Sequence, residues 1–163
     1  MMFRAAIVTV SDRSARGERE DESGPALADA VTAAGGEVCS RSVVADELAD
    51  IQSELVRLAD VERVPLVLTT GGTGFAPRDI TPEATRTVIE REAPGLAEHA
   101  RAATAVKTKY AILSRGVAGI RGRTLIINLP GSPRGALETF EALAHVLPHA
   151  LSVLVEASDR HPA

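Results

Sequence analysis

The sequence has few aromatic residues and a single cysteine. Its 163 residues include three Phe, one Tyr and no Trp, so aliphatic side chains must build the core. Cys39 is the only cysteine, which excludes an internal disulfide and any zinc site made of several cysteines. Because free cysteine behaves as a small apolar residue, we expect Cys39 to be buried in a strand.

The chain also lacks an excess of positive charge and long apolar runs. It has 18 Lys and Arg against 22 Asp and Glu, a formal net charge of −4. No cluster of basic residues alternates with aromatic ones, which argues against a nucleic-acid partner. No apolar stretch approaches the ~20 residues that span a bilayer, and no signal peptide precedes the first strand-like segment. We therefore expect a cytoplasmic protein without a membrane partner.

The aliphatic residues form strand and helix patterns in alternation. A near-continuous apolar run predicts a strand covered on both faces over Phe3–Val10. Helical spacing of apolar residues, ended by two glycines, predicts a helix over residues 24–34. The same criteria predict strands at 37–45, 65–68, 111–114 and 124–129, and helices at 47–59, 82–92, 94–106 and 136–156. This order predicts one α/β domain over residues 1–160, with three α/β/α layers and a mainly parallel sheet.

Polar residues and glycines follow the ends of the predicted strands. Ligands of open α/β sheets bind outside the carboxyl ends of the strands, so these residues are candidates for a binding site. They are Ser11 and Asp12 after the first strand, Asp46 after the second, the loop 69–79 after the third, and Ser114 and residues 128–132 after the later ones.

The loop after the third strand contains Gly71, Gly72 and Gly74 within four residues. Glycine serves wherever backbone angles are unusual, so a tight turn alone is one interpretation. A glycine-rich loop between a buried strand and a helix start is also typical of backbone N–H groups that bind a phosphate. The loop is neither a Walker A motif nor the dinucleotide fingerprint, because the terminal Gly-Lys-Ser/Thr and the required glycine spacing are missing.

Two aspartates, Asp46 and Asp79, allow two interpretations each. Asp79 is either a solvated turn residue or a ligand of Mg²⁺, which prefers one or two carboxylates together with phosphate oxygens. Asp46 is either a helix N-cap or a second ligand of the same kind. We expect Thr81 and Ser132 to cap two helices that begin at this edge, and two such helix starts suit a substrate with two phosphate-bearing parts.

His145 and His149 lie four positions apart on the predicted C-terminal helix, a spacing that two metal ligands could share. Pro148 lies between them and no third ligand is evident, so a surface or packing role is favoured.

Several stretches together resemble the molybdopterin-binding family, which includes bacterial molybdopterin adenylyltransferase and the matching domain of plant and animal molybdenum-cofactor proteins. The loop Gly71-Gly72-Thr73-Gly74, followed by Arg78-Asp79 and Thr81-Pro82-Glu83, is the most specific set. One departure is Ala45, where the family commonly has proline. The matching stretches, which span nearly the whole chain in order, are 9–13, 23–25, 44–47, 68–85, 94–96, 113–115 and 124–133.

The resemblance implies a molybdopterin-binding fold and adenylyl transfer, in which molybdopterin and ATP give adenylyl-molybdopterin and pyrophosphate with Mg²⁺. It implies Asp46 and Asp79 as catalytic residues that hold the metal. It also implies a homotrimer and transient contact with a molybdenum insertase. The substrate-binding residues it implies are Ser11, Asp12, Gly71, Gly72, Thr73, Gly74, Ser114, Asn128, Pro130, Gly131 and Ser132.

Two other functions are compatible with parts of the sequence. A carrier module would bind molybdopterin without adenylylating it, but such a module needs no pair of metal-binding aspartates, so Asp46 and Asp79 favour the enzyme. A general nucleotide hydrolase would need a Walker lysine and a base for water, and neither is evident.

Overall fold

A computed structural model describes residues 2–159, with side chains from Met2 to Glu156. Its centre is a six-stranded sheet with the strand order β2-β1-β3-β6-β5-β4. β2, β1, β3 and β6 are parallel, whereas β5 is antiparallel to β6 and β4 is antiparallel to β5. The predicted mainly parallel sheet is confirmed. The strands are β1 Phe3–Val10, β2 Gly36–Val44, β3 Leu66–Thr70, β4 Arg91–Glu92, β5 Ala118–Arg121 and β6 Thr124–Leu129.

Seven α-helices lie within residues 2–159, and the last two follow the final strand. Proline stands in the first turn of α4, α5 and α6, where its fixed φ and missing N–H cost nothing. Ser132 caps α6 as expected, because its hydroxyl accepts from the N–H of Gly135 at 3.1 Å. The helices are α1 Asp12–Ala15, α2 Ser23–Ala33, α3 Leu48–Val56, α4 Thr81–Val88, α5 Pro94–Ala105, α6 Pro133–Ala144 and α7 Leu147–Asp159.

Successive residues of the central strands point into two separate cores. On β1, Ala5 and Ile7 face a core completed by α2, α5, α6 and α7, whereas Ala6 and Val8 face a core completed by α3 and α4. Side chains alternate across a strand, so a strand that is apolar throughout needs a helical layer on each face. The three-layer α/β/α prediction is therefore confirmed. Each fully buried Leu, Ile or Phe contributes about 1.5–3 kcal/mol to folding.

The predicted strand at 111–114 is wrong. The residues Lys109–Leu113 form a 3-10 helix after α5, with Ile112 and Leu113 exposed. The next sheet strand is β5, which pairs with β6 and with the short β4. β4 also ends the predicted helix 82–92 early, so α4 stops at Val88. The three aliphatic residues of segment 111–114 do not distinguish a strand from a helical turn when the partner strand is distant in sequence.

The predicted helix 136–156 is two helices. α6 ends at Ala144 and α7 begins at Leu147, with Pro148 in its first turn, where a missing N–H is harmless. His145 is the residue that ends α6 and His149 lies in α7, so the two histidines do not share one helix face. Among residues 2–159, no group of three or more His, Cys, Asp or Glu side chains is placed to hold a metal ion.

The prediction that Cys39 is buried is also wrong. β2 is an edge strand whose residues alternate between half-buried and exposed, and Cys39 is on the exposed side. Its Sγ still approaches the carbonyl oxygen of Ala5 at 3.4 Å.

Two further findings concern the sequence predictions of location and extent. No helix in the described part of the chain is long and apolar enough to cross a membrane. Met1 and Arg160 lie outside the described residues, so the domain bounds 1–160 stay a prediction.

Candidate functional site

The glycine loop after β3 lies at the carboxyl edge of the parallel strands. Gly71 and Gly72 have φ angles of 104° and 70°, which only glycine adopts freely. A Cβ on Gly71 would collide with the carbonyl oxygen of Val10 at the end of β1. The N–H of Gly71 donates to the carbonyl of Leu129 at the end of β6, at 3.1 Å. The loop therefore contacts the ends of the two strands that flank β3.

Thr81 fixes the carbonyls of the two glycines. Its hydroxyl donates to the carbonyl oxygen of Gly71 at 2.9 Å, and its backbone N–H donates to that of Gly72 at 3.1 Å. The prediction that Thr81 caps the following helix is wrong, because α4 begins at Thr81 and the capping position is Ile80. Thr81 is fully buried, so it acts as a clamp on the loop.

Within the described part of the chain, the loop leaves three of its backbone N–H groups unpaired, while Thr81 holds the carbonyls of Gly71 and Gly72. The N–H groups of Gly72, Thr73 and Gly74 have no hydrogen-bond acceptor within residues 2–159. The Thr73 side chain is 5% exposed. Amides that bond no protein acceptor near a surface are open to water or a ligand, and successive ones form an anion-binding concavity. The arrangement favours anion binding over a plain turn.

Arg115 holds the outer half of the loop. Its guanidinium donates to the carbonyl oxygens of Gly74 at 2.7 Å and Asp79 at 2.6 Å, and it pairs with Glu83 at 2.8 Å. Its backbone N–H donates to the carbonyl of Thr73 at 2.9 Å. Arg115 belongs to the stretches that carry the family resemblance, but the sequence indicates no role for it. Its signal is only an arginine after a strand-like segment.

We expect Arg115→Lys to lower the free energy of unfolding by about 1–3 kcal/mol, because one ammonium cannot reach three acceptors that a planar guanidinium reaches at once. Urea unfolding measures the change. The matched control is Arg134→Lys, whose side chain is 84% exposed and pairs only with Glu138. This control should change stability by less than about 0.5 kcal/mol. Equal effects of the two variants would contradict the clamp.

Asp46 is held by Asp12 through two reciprocal hydrogen bonds. The N–H of Asp12 donates to Oδ2 of Asp46 at 2.8 Å, and the N–H of Asp46 donates to Oδ1 of Asp12 at 2.9 Å. Arg78 bonds Asp12 at 2.6 Å and also reaches the carbonyl of Asp46 and the carboxylate of Glu47. The N-cap position of α3 is Glu47, so the N-cap interpretation of Asp46 is wrong.

The pKa values of Asp12 and Asp46 are shifted in opposite directions. Hydrogen bonds from Arg78 lower the pKa of Asp12 below its ordinary value. Burial raises the pKa of Asp46, and the negative charges of Asp12 and Asp79 raise it further. Partial desolvation beside like charges is the environment that a bound cation would relieve.

Asp79 lies beside Gly74, the last glycine of the loop. Its Oδ2 accepts from the N–H of Ala76 at 2.9 Å, which is a turn contact, and a Cβ on Gly74 would come within 2.8 Å of the same oxygen. A Cβ on Gly72 would come within 3.2 Å of Oδ1 of Asp46. Oδ1 of each aspartate accepts no hydrogen bond from the described residues. Two free carboxylate oxygens beside a loop with free amide groups fit the ligand preference of Mg²⁺.

Two cavities meet at the glycine loop. The larger, of about 690 Å³, extends toward α5, α6 and the 3-10 helix, and the smaller, of about 330 Å³, extends toward α1 and α2. The residues common to both cavities are Gly72, Asp79, Gly131 and Ser132. Two ligand parts bound in these cavities would therefore meet beside the loop.

Every predicted site residue except Asp12 lines one of the two cavities. Asp12 lines neither cavity and instead holds Asp46 through hydrogen bonds. Thr73, Gly74, Ser114, Asn128 and Pro130 line the larger cavity, and Ser11, Asp46 and Gly71 line the smaller.

Asn128 is also part of the core. Its Nδ2 donates to the hydroxyls of Thr69 at 3.0 Å and Thr85 at 2.9 Å, and its Oδ1 accepts from the N–H of Val117 at 3.2 Å. Both amide hydrogens are therefore in use. Asn128 offers a ligand at most the second lone pair of Oδ1.

Phe75, Arg101 and Tyr110 are among the residues of the larger cavity that sequence reasoning missed. Arg101 donates through one terminal nitrogen to the carbonyls of Ser114 at 3.3 Å and Gly116 at 2.9 Å, and so fixes the segment that carries Ser114. Arg101 and Tyr110 lie far from the glycine loop in sequence. Phe75 follows the loop directly but carries no motif of its own.

The sequence that builds this site matches a known family. A family model described as a probable molybdopterin binding domain matches residues 6–149. The chain belongs to this family. The resemblance noted from the sequence is confirmed.

Curated relatives cover most of the chain. Molybdopterin adenylyltransferase of Escherichia coli K12 is 43% identical over 144 residues, which are 86% of this chain and 73% of the relative. The protein of the same name from Helicobacter pylori J99 is 39% identical over 159 residues, 91% of this chain and 86% of the relative. The molybdenum cofactor synthesis protein cinnamon of Drosophila melanogaster is 44% identical over 150 residues, but the chain spans only 25% of that protein.

Solved structures of this family share the fold. The molybdopterin biosynthesis enzyme MoaB of Thermus thermophilus is 53% identical, with a TM-score of 0.90 over 94% of this chain and 97% of that one. The molybdopterin biosynthesis Mog protein of Mycobacterium ulcerans is 40% identical, with a TM-score of 0.86 over 93% and 99%. The predicted molybdopterin-binding-like fold is confirmed.

Proposed function

We propose that the chain is an adenylyltransferase of molybdenum cofactor biosynthesis, which joins the adenylyl group of ATP to molybdopterin and releases pyrophosphate. The observation that carries the proposal is the pair of cavities that meet at a loop with free amide groups and two carboxylates. The family and the names of the Escherichia coli and Helicobacter pylori relatives support it.

The two substrates would bind on opposite sides of the glycine loop. The larger cavity, with apolar residues such as Ala100 and Leu113 in its wall, suits the pterin. The smaller cavity, with Ser11 and Asp46 in its wall, suits the more polar phosphates of ATP. The terminal phosphate of molybdopterin and the α-phosphate of ATP would then meet near Gly72, in the short stretch that both cavities share.

In the reaction, an oxygen of the molybdopterin phosphate forms a bond to the α-phosphorus of ATP. The bond from that phosphorus to the β-phosphate oxygen breaks, and pyrophosphate leaves with the electron pair. The N–H groups of Gly72, Thr73 and Gly74 would stabilise the negative charge on the equatorial oxygens. Positioning and charge stabilisation account for most of the catalysis, because the transfer needs no covalent enzyme intermediate.

Asp46 and Asp79 would hold Mg²⁺ through their free Oδ1 atoms. When bound, the ion supplies neutralisation of phosphate charge. Asp12 and Arg78 keep the Asp46 carboxylate in place through the contacts described above, and Ala76 does the same for Asp79. The metal assignment rests on these two aspartates alone.

The test is an incubation with molybdopterin, Mg²⁺ and ATP labelled in separate reactions at the α- or γ-phosphate. We expect the α label to appear on the pterin and the γ label only in pyrophosphate, in equal amounts. Transfer of the γ label to the pterin would contradict adenylyl transfer. Tight molybdopterin binding without either product would instead support the carrier module.

Three further attributes stay predictions, the first two from the family resemblance and the third from the lack of a signal peptide and of a long apolar stretch in the sequence. They are homotrimeric assembly, transient contact with a molybdenum insertase, and location in the cytoplasm. Sedimentation velocity of the purified chain tests the first, with a single species at three times the monomer mass as the expected result.

A further inference from the structure

The four aromatic side chains fall into two pairs with opposite environments. Phe3 and Phe140 are core residues, 5% and 2% exposed. Phe75 and Tyr110 are 71% and 64% exposed, and both line the larger cavity. A chain that uses aromatic residues so sparingly places its two exposed rings beside the same cavity.

The two exposed rings come from separate segments of the chain. Phe75 is part of the loop that begins with Gly71 and is followed by Asp79, so its backbone is fixed by the Arg115 clamp on Gly74. Tyr110 lies in the 3-10 helix Lys109–Leu113, and its N–H donates to the hydroxyl of Thr108 at 3.3 Å. Both backbones are held while the rings stay largely exposed, and the Lys109 ammonium lies 5.2 Å from the centre of the Tyr110 ring.

We propose that Phe75 and Tyr110 form an aromatic rim that stacks on the flat heteroaromatic rings of the substrate in the larger cavity and sets its affinity. An exposed ring forfeits the stabilisation of burial, and a planar ligand restores it by covering the ring. Stacking of a heterocyclic base on an aromatic side chain tolerates small displacements and fits a rim more than a deep pocket. The proposal rests on the proposed function for the identity of the ligand, a pterin.

The chain offers a built-in probe of this contact. Tyr110 is its only tyrosine and it has no tryptophan, so tyrosine emission reports on one position. Adding molybdopterin without ATP should quench that emission with a saturable dependence. Free N-acetyltyrosinamide at the same absorbance corrects for light absorbed by the pterin. No activity is needed for this measurement.

Steady-state kinetics separate stacking from a structural role. Phe75→Leu and Tyr110→Leu should each raise the KM for molybdopterin at least about fivefold, the lower bound of stacking on one ring. The kcat should stay near the wild-type value, because contact with a non-reacting part of the substrate is lost equally in ground and transition states. The ring-retaining variants Phe75→Tyr and Tyr110→Phe should restore KM.

Val61→Ala is the matched control, because Val61 is 72% exposed but lies before β3, at the opposite edge of the sheet. It should leave KM and kcat unchanged. The rival use of the rim is as a contact between copies of the chain, since Val106 and Ile112 nearby are also exposed. Sedimentation velocity of Tyr110→Leu tests that use directly.

The outcomes distinguish this proposal from the proposed function. Quenching of Tyr110 without adenylylated product would support the rim and reject the transferase. Product formation with unquenched Tyr110 and wild-type KM in both Leu variants would overturn the rim and leave the transferase standing. A change of oligomeric state in Tyr110→Leu without a rise in KM would likewise overturn the rim.

Discussion

Asp46→Asn and Asp79→Asn should each lower kcat by roughly 10²–10³, the usual consequence of losing one preorganised group that stabilises transition-state charge. Asparagine nearly keeps the size of aspartate, and its amide oxygen can still accept from the N–H groups of Asp12 or Ala76. The fold should therefore survive. The negative charge is lost, and with it most of the affinity for Mg²⁺.

The kinetic pattern tests whether the carboxylates act in the reaction. We expect kcat and kcat/KM to fall together, as they do when an interaction exists only in the transition state. Molybdopterin binding, measured by calorimetry without ATP, should change little. Raising the Mg²⁺ concentration should recover part of the activity of each variant.

Asp50→Asn is the matched control for this pair. Asp50 lies in the first turn of α3 and is exposed, close in sequence to Asp46 but outside both cavities. Its replacement should leave turnover at the wild-type value. If Asp46→Asn and Asp79→Asn melt normally and turn over like wild type at limiting as well as saturating Mg²⁺, both aspartates leave the mechanism.

Gly72→Ala should abolish substrate binding and also destabilise the fold. A Cβ at this position would collide with the hydroxyl of Thr81 and lie 3.2 Å from Oδ1 of Asp46. Thr81 is buried and clamps the carbonyls of Gly71 and Gly72, so it cannot move aside without releasing them. The loop amides would then lose the geometry that a phosphate needs.

Gly17→Ala separates the backbone cost from the collision. Gly17 has a φ of 72°, almost the same as the 70° of Gly72, but a Cβ there would meet nothing within 4 Å. This control should lose only the roughly 1–2 kcal/mol of a left-handed non-glycine residue and keep its binding. Gly72→Ala should lose more stability than that, and calorimetry should detect no molybdopterin binding to its folded fraction. Equal stability losses and intact binding would mean that the loop is only a turn.

The sequence by itself determined the local features of the site. Three glycines in four residues after an apolar strand indicate a loop where side chains do not fit, and the positive φ angles of Gly71 and Gly72 agree. Prolines at helix starts and the Ser132 cap are equally local, because a cap involves residues only three positions apart. The resemblance added the roles of Asp46 and Asp79, which spacing alone had left between N-cap, turn and metal ligand.

At the edges of the sheet, local sequence patterns did not predict the structure correctly. Whether residues 111–114 or 118–121 form the strand beside β6 depends on which backbone can pair with β6, and that pairing is decided by the whole fold. Cys39 sits in a strand as predicted, but exposure follows from β2 being the outermost strand. Strand order is not encoded in any short window.

Only the tertiary structure decided which groups hold the site together. Arg78 reaches Asp12 across 66 positions, and Arg115 reaches Glu83 across 32. In the sequence, nothing distinguishes these residues from the other charged residues of the chain. The parallel strands bring their carboxyl ends to one edge, and that places distant loops within hydrogen-bond distance of each other. The partners of Asp46, the clamp on the glycine loop and the meeting of two cavities therefore follow from strand order, because contacts between distant residues exist only once the chain is folded.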